Sequence, residues 1–137
     1  MTRQYFLRSL ALFAVLGVIV QASAAADRLP VRSTSQAGVT VKVQPLALAP
    51  AGWDFEVTFD THSQDLKDDL AKSAVLVPDA GAPLAPSSFE GDPPGGHHRK
   101  GILRFAPVSP APARLELRIQ RAGEATPRVF SWQLQKK

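Results

Sequence analysis

The 137-residue chain has no cysteine, and its only methionine and only tyrosine fall within the first five residues. The missing thiol excludes a disulfide framework, a thiolate zinc site, covalent c-type haem, an iron–sulfur cluster and a redox Cys pair. It also excludes a lipid-modified N-terminal Cys and a blue-copper centre, and a soft Cu(I) site would have no sulfur donors. Long apolar runs are scarce: only residues 9–20 qualify. A phosphate-binding loop is missing too, because Gly95-Gly96 has neither the spacing nor the following helix pattern. An EF-hand is excluded, since Asp65-x-x-Asp68-Asp69 lacks the alternating ligands and the glycine.

Residues 1–26 read as a signal peptide. Arg3 and Arg8 flank an acid-free start, Ser9 to Val20 form a short apolar core, and Gln21-Ala-Ser-Ala-Ala-Ala26 supplies small residues for cleavage after Ala24 or Ala26. The apolar run is short of the roughly 20 residues a spanning helix needs. Arg3 and Arg8 are not adjacent, so the general export route is expected rather than the twin-arginine one. The expected location is periplasmic or secreted, with no membrane span left after cleavage. The mature chain would have about 111–113 residues, with 14 Lys and Arg against 12 Asp and Glu, a net charge of +2 rather than +4. That balance argues against a nucleic-acid partner.

The 12 prolines run from Pro30 to Pro127 and leave little room for long helices. Between them lie segments of period-two alternation, which marks half-buried strands. In 53–60, Trp53, Phe55, Val57 and Phe59 share one face. In 114–120, Leu115, Leu117 and Ile119 do the same, and in 128–134 Phe130, Trp132 and Leu134. Shorter candidates are Val39–Val43, Ala74–Val77, Gly101–Phe105 and a strand at Phe89. About seven short strands between Pro and Gly turns predict an all-β, antiparallel, immunoglobulin-like β-sandwich. The domain is expected over 39–135, after a loose leader at 27–38, with Lys136-Lys137 as a frayed tail. One or two helical turns are expected near 63–72, from Leu66 and Leu70 four apart and Ser63 as N-cap.

Charge divides unevenly: residues 27–96 sum to −5 and residues 97–137 to +7. Either the molecule is bipolar and offers a basic face to a partner, or acidic and basic strands neutralise each other across a sheet. The carboxylate pairs Asp68-Asp69 and Asp54 with Glu56 read as solvated faces.

All three histidines fall at strand ends. His62 follows the strongest strand, while His97-His98 precede 101–105. If those two strands run antiparallel, the three imidazoles share one rim of the sandwich. Imidazole is a good ligand for Cu(II), Zn(II) and Ni(II). Adjacent side chains on a regular strand point to opposite faces, and Gly95-Gly96 could supply the irregularity that lets both face one ion. Candidate metal ligands are therefore His62, His97 and His98, with Asp60, Asp65, Glu90 or Asp92 as additional donors. The alternative is a non-metal interaction module whose histidines brace loops.

The elements Thr61-His62-Ser63, Gly95-Gly96-His97-His98 and Phe130-Ser131-Trp132 together resemble small exported bacterial proteins of unassigned function. That resemblance spans 39–134 and implies only that the two His elements belong together. No enzyme is expected: His62, Ser63 and Asp65 are too close in sequence for a triad, which is assembled from distant segments. The sequence thus predicts an exported binding or accessory module. It would hold one divalent transition metal ion, copper or zinc, and meet a periplasmic protein partner.

Overall fold

Each of the alternating segments is a strand in the computed structural model, which describes residues 28–79 and 81–134. The expected signal peptide and the Lys136-Lys137 tail lie outside the described residues. Eight strands are described: β1 Arg32–Gln36, β2 Val39–Ala49, β3 Gly52–Thr61, β4 Ala74–Pro78, β5 Ser88–Gly91, β6 His98–Phe105, β7 Arg114–Ile119 and β8 Arg128–Gln133. They form an antiparallel sheet in the order β1-β2-β3-β6-β5 and a second in the order β4-β7-β8.

Set β1 aside and letter the remaining seven strands A to G. The sheets then read A-B-E-D and C-F-G, the strand order of a constant-type immunoglobulin domain. The inward faces meet in a single core. Phe55 on β3 packs edge-on against Phe105 on β6 at 5.7 Å and reaches across the sandwich to Trp132 on β8 at 5.8 Å. The five aromatics expected on shared faces, Trp53, Phe55, Phe59, Phe130 and Trp132, are all buried, and so is Phe105. With no disulfide between the sheets, these rings supply much of the buried apolar area.

Two local expectations need correction. The segment 27–38 is not wholly loose, because β1 lies within it, hairpinned to β2 through Ala37 (φ 50°) and Gly38 (φ 75°). Positive φ at both positions is the type I′ geometry that suits a two-residue hairpin. β1 has no buried face, so no apolar alternation announces it. A single helical turn is present as expected, but it lies at the end of the expected segment. Only α1, Leu70–Ser73, is helical, and its N-cap is Asp69, not Ser63. The Leu66 N–H donates to Gly96 O (3.0 Å) and its carbonyl accepts from the Gly95 N–H (2.7 Å), which takes these groups away from any helix there. Leu66 and Leu70 are both buried, each from a different local structure.

The two sheets leave four edges, and each is encumbered. Along β4, Leu76 and Leu84 exchange backbone bonds of 2.9 and 2.8 Å. β5 is four residues long and lies between Pro86 and Pro93. β1 is short and polar. On β8 the Leu134 N–H faces β7, where it donates to Ala113 O, so the backbone of Val129, Ser131 and Gln133 faces outward. There Arg32 Nε donates to Ser131 O at 3.0 Å.

Candidate functional site

β3 and β6 run antiparallel with Asp60 opposite His98. The end of β3 therefore lies beside the start of β6, and His62 comes to the same end of the sandwich as His97-His98. The intervening loops are fastened there. The Thr61 N–H donates to His97 O (2.9 Å), Thr61 Oγ1 to Gly38 O (2.8 Å), and Gln64 Nε2 to Ala37 O. Gly95 (φ 114°) and Gly96 (φ 76°) bend the chain just before His97, as the sequence suggested. A side chain at either would be strained.

The result is a rim cavity of about 480 Å³ lined by Gly38, Thr40, Asp60, Thr61, His62, His97 and His98. All three histidines of the chain line it, and all three are exposed. Among the described residues, however, no group of three or more His, Asp or Glu side chains is assembled to hold a metal ion as it stands.

The additional ligand candidates fare differently. Asp60 lines the cavity, and its Oδ1 lies 2.5 Å from His98 Nδ1. Asp65 is occupied elsewhere: it accepts the Gly96 N–H at 2.7 Å and pairs with Lys67 at 3.1 Å. Those partners, Lys67 first, hold its carboxyl below the ordinary range. Asp92 accepts the Lys100 N–H at 2.9 Å. Glu90 lies opposite Ile102, four residues along β6 from His98, and faces Arg104 at 3.8 Å. Of the four carboxylates, the structure brings only Asp60 to the histidine cavity.

The uneven charge resolves in the same register. Acidic β3 lies beside basic β6, with Asp54 on Arg104 (2.9 Å), Glu56 on Lys100 (3.0 Å) and Asp60 on His98. Neutralisation across the sheet accounts for these opposed blocks.

Beneath the rim is a feature the sequence reading missed. Arg99, Arg121 and Arg128 are buried at this end of the sandwich, each about 5% exposed or less. Arg128 donates to both oxygens of Glu124 (2.9 and 2.5 Å) and to the carbonyls of Val39 (2.8 Å) and Gln36 (3.0 Å). Arg121 donates to Asp68 Oδ2 (3.0 and 3.2 Å), reaches Glu124 at 3.5 Å, and stacks on Phe59 at 5.9 Å. Arg99 donates to the backbone carbonyls of Asp68 and Asp92 and stacks on Phe89 at 5.3 Å. Asp68 is thus not part of a solvated face, because Arg121 takes it inside. A signal for the arginines was present. Arg99, Arg121 and Arg128 each continue the inward parity of their strand, in step with Leu103, Ile119 and Phe130.

A second cavity, of about 600 Å³, lies beside α1 with Lys67, Lys72, Arg121 and Gln120 in its lining. Its cations already face Asp65, Asp69 and Asp68. Among the described residues no helix is long and apolar enough to cross a membrane. Protein-family models, curated proteins and solved structures contain no match to this chain, so the rim is read from its own geometry.

Proposed function

We propose that this chain is an exported binding module that takes one divalent transition metal ion, Cu(II), Zn(II) or Ni(II), at the rim formed by His62, His97 and His98. The observation that carries this reading is the convergence of every imidazole in the chain, from two segments 35 residues apart, onto one cavity. Imidazole nitrogen suits these borderline ions. The ligand set is not preassembled, but exposed side chains change rotamer in picoseconds to nanoseconds. A periplasmic or secreted location, and delivery of the ion to a protein partner there, fit the same reading.

The test is calorimetric titration of the untagged protein, purified after export, with Zn(II) and Cu(II). One equivalent should bind at micromolar affinity or tighter, and binding should vanish in the His62→Ala/His97→Ala double variant. At about 100 times Kd the ion should stabilise the fold by about 2.7 kcal/mol, raising the melting temperature by roughly 10 °C.

The competing reading, a protein-interaction module with bracing histidines, has the Asp60–His98 bond in its favour. It predicts no metal uptake. Replacing His98 would then cost under about 1 kcal/mol, because Asp60 is 44% exposed and water takes the place of its partner.

A further inference from the structure

Asp60 and His98 are directly opposed on β3 and β6, with their side chains on the outer face of the sheet. Asp60 Oδ1 is 2.5 Å from His98 Nδ1. A carboxylate can only accept, so the hydrogen in this contact belongs to Nδ1. A neutral imidazole carries one N–H, which leaves Nε2 with a free lone pair. Metal-binding histidines commonly donate their second ring N–H to a carboxylate, which fixes the tautomer and raises the basicity of the donor nitrogen.

We infer that Nε2 of His98 is the atom through which the rim takes its ion, and that Asp60 is the positioning residue holding that imidazole, not a ligand. This deepens the metal reading above and rests on it. The other candidate carboxylates are held by Gly96 and Lys67 in the case of Asp65, by the Lys100 N–H in the case of Asp92, and beside Arg104 in the case of Glu90. The donor set is then nitrogen alone, and this sets the class of ion. Ca²⁺ and Mg²⁺ require several oxygen ligands, whereas imidazole suits Zn(II), Cu(II) and Ni(II). A large excess of Ca²⁺ should leave Zn(II) uptake unchanged.

The tautomer can be read without any metal. Two-bond proton–nitrogen correlation spectra of the metal-free protein, recorded above the titration range of histidine, should show His98 protonated on Nδ1. In Asp60→Ala the ring should lose that fixed tautomer. Zn(II) affinity should fall about 10–100-fold in Asp60→Ala, and Asp60→Asn should recover most of the loss because its amide oxygen still accepts the Nδ1–H. The Asp60 side chain is 44% exposed, so melting temperatures should barely move, which separates positioning from a folding defect. An Nε2–H tautomer of His98 in the wild type, or unaltered affinity in Asp60→Ala, overturns the inference while leaving metal binding intact. A wild type that binds no metal overturns the functional reading and the donor assignment with it.

Discussion

Glu124→Ala should destabilise the domain by about 3–5 kcal/mol, the cost of leaving the buried Arg128 charge without its carboxylate. Glu124 accepts two bonds from Arg128 and one from Gln36, and it approaches Arg121 at 3.5 Å. The Arg128 side chain is 0% exposed, so its guanidinium cannot turn to water when this acceptor is removed, whereas Arg121 keeps Asp68. For a domain whose whole stability is about 5–15 kcal/mol, this is a large fraction. Urea denaturation checks it: the midpoint should drop sharply with little change in slope. A loss under 1 kcal/mol would show that the Arg128 guanidinium is better hydrated than its burial indicates.

The same carboxylate makes the fold acid-sensitive. Arg128, with Gln36 and Arg121, holds the Glu124 carboxyl below its ordinary value, and Arg118 with Arg114 does the same for Glu116. A carboxyl with a depressed folded-state pKa contributes stability above its unfolded value and loses it as pH falls through the folded one. Stability should therefore be flat near neutrality and decline below about pH 4.5. The decline should be shallower in the Glu124→Gln variant, measured by urea melts across the acid range.

Gly91→Ala should have the second large effect. Gly91 is paired with Gly101, and a Cβ at Gly91 would lie 2.4 Å from both Gly101 Cα and Lys100 O. Both obstacles are backbone, so β5 must move away from β6. That shift would lift Phe89 from Gly101 and from Arg99, and drag the Asp92–Gly96 loop that leads into His97. A cost of about 1–3 kcal/mol is expected from the overpacking. Unlike Glu124→Ala, this variant should also weaken metal uptake at a temperature where the protein remains folded. Wild-type affinity in a folded Gly91→Ala protein would mean that the loop position does not depend on β5.

Much of the sandwich could be read from period-two alternation, because burial on one face imposes that pattern on β3, β7 and β8. The convergence of the histidines was legible only conditionally. It followed once 53–60 and 101–105 were taken as antiparallel neighbours, and the Asp60–His98 register meets that condition. β1 was illegible because its stability comes from the I′ turn and from Arg128 reaching Gln36 O, not from apolar residues of its own. The start of the helical turn was misplaced for a tertiary reason: the backbone of Leu66 bonds to a loop 30 residues away. Asp68 looked solvated because nothing local reveals that Arg121, 53 positions on, comes to meet it.

The encumbered edges bear on how the protein behaves at high concentration. A strand from another copy that approaches β8 must first displace Arg32 from Ser131 O, and at β4 it meets the segment carrying Leu84. β5 offers only four residues before proline, too few to template a long cross-strand ladder. Open edges are the usual seeds of runaway sheet growth. With these encumbrances, copies at high concentration meet no ready edge on which to add strand after strand into fibres.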